Sequence, residues 1–146
     1  MTIIAWDGKT LAADKRAVSA NRPVVTTKIF RVRDDLVGFS GEAALGLAMV
    51  EWYRQGAEPC NLPEFQKADA DSVGFVVVKA DGRVFRFERS AYPFQILEPF
   101  FAMGSGRDYA LAAMHLNRTA VEAVELACLF DVNCGNGFDT LMLEGE

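Results

Sequence analysis

A chain of 146 residues is the size of one domain, long enough to bury roughly 68–70% of the surface its unfolded form would expose. Its net charge of −5, with Lys and Arg scattered among the acids, provides no basic track for a phosphate backbone, so nucleic acid is not an expected partner. No apolar run approaches the roughly 18 residues of a membrane span and no signal-type segment opens the chain, which predicts a cytoplasmic protein with no membrane partner.

In chain order, Thr2 to Trp6 is β-branched and apolar, and Thr10 to Ala13 follows an Asp7-Gly8 pair, which predicts a first hairpin. Ile29 to Arg33 and Leu36 to Ser40 flank Asp34-Asp35 as a second. After Gly41 the periodicity changes. Leu45, Ala48, Met49, Trp52 and Tyr53 recur at helical spacing up to Gly56, and Ala43, Gly46, Leu47 and Val50 leave the other side of that helix apolar too. A helix apolar nearly all round, in a chain that is 51% hydrophobic with eleven Phe, predicts a face covered by another subunit.

Ala57 to Asp71, with two prolines and several acids, reads as a surface loop. Val73 to Val78 and Val84 to Phe87 flank Ala80-Asp81-Gly82 as a third hairpin, and a strand is predicted near Phe100 to Met103. Two helices follow, from about Arg107 to Leu116 and from about Ala120 to Phe130, the latter opened by the Thr-x-x-Glu capping spacing of Thr119 and Glu122. A last strand falls near Phe138 to Leu143. Hairpins dominate over strand–helix alternation. The predicted class is therefore α+β, a four-layer α/β/β/α sandwich of two antiparallel sheets forming one domain over residues 1–146.

Familiar site motifs are missing. Gly38-Phe39-Ser40-Gly41-Glu42 lacks the last glycine of a nucleophile elbow, and Gly104-Ser105-Gly106 lacks the third glycine of a dinucleotide fingerprint. Cys60, Cys128 and Cys134 form no C-x-x-C pair and read as reduced thiols, while His115, the single histidine, reads as a helix residue. No metal and no cofactor are expected. What remains is the start of the chain. Removal of Met1 ahead of the small Thr2 would place a hydroxyl and a free α-amine on one residue, a nucleophile with its own base. The amine's ordinary pKa of about 7.7–8.0 suits it to accept the hydroxyl proton near neutrality.

Five segments in order, Thr2 to Arg16 (TIIAWDGKTLAADKR), Lys28 to Val32 (KIFRV), Gly38 to Ala44 (GFSGEAA), Gly104 to Ala110 (GSGRDYA) and Asp131 to Asn136 (DVNCGN), resemble the landmarks of proteasome β-type subunits and of HslV. The chain is most similar in pattern to short bacterial proteasome homologues. That resemblance implies the N-terminal nucleophile hydrolase fold and a threonine-type endopeptidase. Thr2 would be nucleophile and base, Asp14 its acidic partner, and Lys28 a buried ammonium that lowers the proton affinity of the Thr2 hydroxyl and amine. A plain Asp14–Lys28 salt bridge is the structural alternative.

Gly41 would donate a backbone N–H to the oxyanion, or else simply form a turn. Ser105 and Asp131 would hydrogen-bond around the Thr2 amine, although Ser105 also fits an ordinary helix N-cap. Ala17, Thr26, Phe39 and Ala43 would surround the pocket for the residue before the cut, and their small-to-apolar character predicts uncharged side chains there. Two departures stand out: Thr2-Ile3 replaces a common Thr-Thr doublet, and Cys134 stands where a second accessory serine is usual, offering a weaker donor. The resemblance also implies unfolded polypeptide substrates and a homo-oligomer of two stacked rings, seven-membered as in proteasomes, a tetradecamer, or six-membered as in HslV, with room for an ATPase or unfoldase partner. A small-molecule amidase of the same fold and a catalytically weak ring-forming scaffold are the competing readings.

Overall fold

The computed structural model describes residues 2–64 and 73–143. Along the chain these form β1 (Ile4–Trp6), β2 (Thr10–Asp14), β3 (Arg16–Ser19), β4 (Arg22–Val25), β5 (Ile29–Val32), β6 (Asp35–Gly41) and α1 (Ala43–Arg54). A short 3-10 turn at Pro59–Asn61 precedes β7 (Val73–Val78), β8 (Val84–Phe87), β9 (Phe94–Ile96), β10 (Phe101–Met103), α2 (Arg107–His115), α3 (Ala120–Phe130) and β11 (Phe138–Met142). All pairings are antiparallel. One sheet runs β10-β1-β2-β11, a second β5-β6-β7-β8-β9, and β3-β4 stand apart as a ribbon.

Local chemistry accounts for the strongest elements. Asp7 accepts the N–H groups of Lys9 and Thr10 at 2.9 and 2.8 Å while Gly8 takes φ +95°, so the Asp-Gly pair turns β1 into β2. Thr119 Oγ1 accepts the Glu122 amide at 3.1 Å and Glu122 Oε1 accepts the Thr119 amide at 3.0 Å, the reciprocal cap expected at the start of α3.

Strand alternation then sorts the apolar residues into three layers of core. Ile4, Trp6, Leu11 and Ala13 face Ile29, Leu36, Val76 and Val78 between the two sheets. Ile3, Ala5 and Ala12 face the other way, against Ala110, Ala113, Ala120, Ala123, Val124 and Ala127 of α2 and α3. Small side chains at that contact let the helices lie close to the sheet. The far side of the second sheet, Val37, Phe39, Phe75, Val77 and Phe87, packs on Met49, Val50, Trp52 and Tyr53 of α1. This is the expected α/β/β/α sandwich.

Several expectations need correction. The ribbon β3-β4 and strand β9 were not anticipated from the sequence, and the first strand begins at Ile4 rather than Thr2. Asp35 is not a turn residue but the buried first residue of β6, with Arg33 at φ +55° making the turn before it. The α1 core stripe is Gly46, Met49, Val50, Trp52 and Tyr53; Leu45 and Ala48 are only half-buried. Gly46 belongs there because a Cβ would lie 2.1 Å from the Phe39 ring. On the outer side Ala44 and Leu47 are exposed beside the Glu51–Arg54 ion pair, so α1 is less apolar outside than its sequence suggests. Of the predicted 57–71 loop, residues 65–71 lie outside the described residues.

Candidate active site

Thr2 sits just before β1, and its position is set by residues far along the chain. Its carbonyl accepts the Gly106 amide at 3.1 Å, and its nitrogen donates to Ser105 Oγ at 3.2 Å. Gly104, at φ +101°, passes so close that a Cβ there would lie 2.1 Å from the Thr2 carbonyl oxygen. Only glycine fits that approach.

Asp14 ends β2 and is tied to the same strand pair. Its amide donates to the Ile3 carbonyl at 3.1 Å, while its carboxylate accepts the amides of Ile3 at 3.1 Å, Arg16 at 3.2 Å and Gly135 at 3.0 Å. Lys28, in the segment leading into β5, accepts the Phe39 amide on its carbonyl at 3.1 Å. Its ammonium donates to Asp14 Oδ1 and to Thr2 Oγ1, each at 2.9 Å. Thr2, Asp14 and Lys28 are 1%, 0% and 3% exposed, so the chain of carboxylate, ammonium and hydroxyl is removed from bulk water. Such contacts are electrostatically far stronger than at a surface, and the three amides on Asp14 make the buried charge tolerable.

A second group lies on the nitrogen side of Thr2. Ser105 Oγ is 3.9 Å from Cys134 Sγ, and the Cys134 thiol donates to Asp131 Oδ2 at 3.5 Å. Burial tends to raise Asp131, but hydrogen bonds from Ser105, the Asn133 amide and Cys134 outweigh it and hold its carboxyl below the ordinary value. Burial, reinforced by the Asp14 and Asp131 charges, pushes the Cys134 thiol up to about 12, so it remains a neutral donor. Cys128 is likewise pushed up to about 11, chiefly by burial. His115 is exposed at the end of α2, away from this cluster.

Thr2, Lys28, Gly41 and Ser105 line one cavity of about 620 Å³, together with Ala17, Thr26, Phe39 and Ala43. Asp14 and Asp131 stand behind that wall, contacting the lining groups. Gly41 closes β6 at φ +94°, and the N-cap residue Glu42 gives the first turn of α1 no side-chain cap. The first amides of a helix lack intrahelical partners, so this end of α1 is suited to an anionic oxygen. Phe39 contributes little more than an edge, since its ring is 2% exposed and seated against Gly46.

The cavity as a whole is not lined by uncharged residues alone. Arg16, Arg86, Arg107 and Glu42 border the same cavity, and sequence reasoning assigned none of them to it. Arg16 bonds Asn136 Oδ1 and the Val132 carbonyl, both at 2.6 Å, and Arg107 bonds the Gly104 carbonyl at 3.0 Å. Gly104 was visible as part of a glycine-rich triplet; Arg86 had no signal, because its place depends on which strand lies beside β8. Among the described residues, no group of three or more His, Cys, Asp or Glu is disposed to hold a metal, and no helix is long and apolar enough to cross a membrane.

No protein-family model and no curated protein sequence matches the chain. Solved structures do. The chain is similar to Thiobacillus denitrificans BPH, a bacterial proteasome homologue, in complex with epoxomicin, with a TM-score of 0.73, 19% identity, and 99% of this chain and 100% of the other covered. A second structure of that protein gives 0.70 at 18% identity, covering 99% of each. Eukaryotic HslV from Trypanosoma brucei gives 0.64 at 18% identity, covering 96% of this chain and 97% of the other. In architecture, this chain has the N-terminal nucleophile hydrolase fold of proteasome β-type and HslV subunits.

Proposed function

We propose that this chain is a threonine-type endopeptidase subunit whose nucleophile is Thr2 after removal of Met1. The ammonium of Lys28, 2.9 Å from the Thr2 hydroxyl and 2.9 Å from Asp14 at a cavity mouth, carries this conclusion. While Met1 is attached the Thr2 nitrogen is an amide; once freed it becomes the base. Thr2 Oγ1 then attacks the substrate carbonyl carbon as its proton passes to the α-amine, and Lys28 stabilises the developing alkoxide. The oxyanion takes the Gly41 amide. Collapse breaks the C–N bond as the α-amine passes its proton to the leaving nitrogen, and the resulting ester is hydrolysed by a water molecule that the Thr2 α-amine deprotonates, the proton returning to Thr2 Oγ1 as the acid departs. Ser105 and Asp131, with Cys134, orient that amine. The site lies beside Ala17, Thr26, Phe39 and Ala43, which hold the residue before the cut.

Exposing such a nucleophile freely would endanger folded proteins, so we place it in a closed cytoplasmic homo-oligomer of two seven-membered rings receiving unfolded polypeptides from an ATPase or unfoldase. The complex of the bacterial neighbour with epoxomicin supports the comparison. Intact-mass measurement tests it. Met1 should be absent, epoxomicin should add once per chain, and Thr2→Ala should abolish both adduct and peptide hydrolysis. Hydrolysis unchanged in Thr2→Ala would overturn the reading, and a stable monomer at micromolar concentration would remove the compartment.

A further inference from the structure

The segment between α3 and β11 sets Asp131 and Cys134 beside Ser105, and it also carries a reactive dipeptide that peptide hydrolysis does not use. Of the five asparagines in the chain, Asn136 alone precedes glycine. Asparagine is a thermolabile residue because the next backbone nitrogen can attack its side-chain carbon, and a following glycine leaves that approach unobstructed. Asn136 and Gly137 are exposed, and a Cβ at Gly137 would meet nothing within 4 Å.

Arg16 sets this pair apart from an ordinary Asn-Gly turn. Its Nε donates to Asn136 Oδ1 and its Nη1 to the Val132 carbonyl, both at 2.6 Å. The guanidinium also lies so close over Gly135 that a Cβ there would be 2.7 Å from Nη2. It is thus fixed in advance, with a donor on the oxygen that gains charge when the side-chain carbon is attacked. Preorganised donors at such an oxygen lower the barrier. Asn21 and Asn117 provide the contrast: both are exposed, at φ +63° and +65° against +63° for Asn136, but each precedes arginine.

We propose that Asn136 is a self-modifying site whose conversion to isoaspartate disarms the neighbouring active centre; the disarming rests on the peptidase reading above. The Gly137 nitrogen, its proton taken by hydroxide, bonds to Asn136 Cγ while Arg16 holds the negative charge on Oδ1. The Cγ–Nδ2 bond breaks, ammonia leaves with a proton from water, and a five-membered succinimide remains. Water then opens either of the ring's C–N bonds, giving aspartate or isoaspartate, so that overall one water enters and one ammonia departs. In isoaspartate the main chain runs through Cγ and is longer by a CH₂ group. That length enters between Gly135 and Gly137, whose carbonyls share the Lys15 amide at 3.1 Å each. One amide cannot hold both after the insertion, and the displacement falls on the Gly135 amide that supports Asp14 at 3.0 Å.

The test incubates the purified protein at mildly alkaline pH, maps its peptides by mass and reads isoaspartate by enzymatic methylation. Asn136 should convert several-fold faster than Asn21 or Asn117. Asn136→Gln should abolish conversion at that position, and Arg16→Gln, shown by thermal melting to be folded, should slow it several-fold. If Arg16→Gln does not fold, Arg16→Lys, which keeps the charge but loses the fork, should still slow it. With a peptide substrate, kcat should fall in step with isoaspartate content, and Asn136→Gln should show no such decline over the same incubation. Conversion of Asn136 no faster than that of Asn21 and Asn117, or unmoved in a folded Arg16 variant, overturns the proposal. Conversion without a falling kcat overturns the disarming. Conversion in a protein with no Thr2-dependent hydrolysis overturns the peptidase reading and leaves the modification site standing.

Discussion

Two Asp–Lys pairs in this molecule have the same contact distance and opposite characters. Asp14–Lys28 and Asp35–Lys79 both meet at 2.9 Å, but the first pair is 0% and 3% exposed and the second 10% and 37%. Asp35 also accepts the Tyr53 hydroxyl at 2.6 Å and the Ala80 amide at 2.9 Å, and Lys79 adds a bond to Tyr53 Oη at 3.1 Å. Every polar group in that cluster is occupied by another structural group, so it staples β6, α1 and the end of β7 together. In the first pair a second lysine donor points instead to the Thr2 hydroxyl at a cavity. On the peptidase reading proposed above, it is the third group an ion pair touches, rather than its own geometry, that gives it a part in the chemistry.

Lysine removal sharpens that contrast most. Lys28→Ala should lower kcat by about 10²-fold or more, since electrostatic and base terms of this kind carry about 10²–10⁴. It should also destabilise the fold by about 3–5 kcal/mol by leaving a buried carboxylate without its cation. Lys79→Ala should cost about 0.5–1 kcal/mol, because its pair is part-exposed and screened, and should leave hydrolysis within about two-fold. Equal kinetic losses from the two variants, measured with one peptide substrate, would break the comparison.

Asp35→Asn is expected to be intermediate in stability, about 1–3 kcal/mol by urea titration, because the Ala80 amide and Tyr53 hydroxyl lose a charged acceptor. The smallest effect is in its pH dependence. Burial raises Asp35, but bonds from Tyr53, Lys79 and the Ala80 amide outweigh it and lower its carboxyl below the ordinary 3.8. Its stabilisation is therefore present above that value and lost as pH falls through the lower folded one. Tyr53 is raised above 10.0, chiefly by burial and then by Asp35, and Lys79 above 10.5, chiefly by its bond to Asp35. Their contributions are present below those values and fade as pH rises through the folded ones. Asp35→Asn should flatten the acid limb of a Tm-against-pH curve; a limb as steep as in the wild type would assign acid sensitivity elsewhere.

How much of this could be read beforehand follows from how local the signal is. The Asp7-Gly8 turn and the Thr119–Glu122 cap are written within four residues, and the turn and the helix start fall where expected. The β3-β4 ribbon escaped because Ala20, a poor turn marker, sits beside Asn21 in the turn, both at positive φ, and because Pro23 argues against a strand. A ribbon with no third strand tolerates that proline. Thr2, Asp14, Lys28, Gly41 and Ser105 lie together in the structure, but no spacing rule joins positions separated by up to 103 residues. Arg86 and Gly104 required knowing which strands are neighbours and how closely two backbones pass.

The contact between Gly104 and the Thr2 carbonyl also has a temporal side. Thr2 is held by residues 104–106, which exist only after more than two thirds of the chain has been made, and β1 lies between β2 and the later β10. Closing so long a loop is slow compared with forming the local hairpins and helices. A growing chain that has completed only its first hairpins therefore carries Thr2 without the residues that hold its backbone in the finished fold.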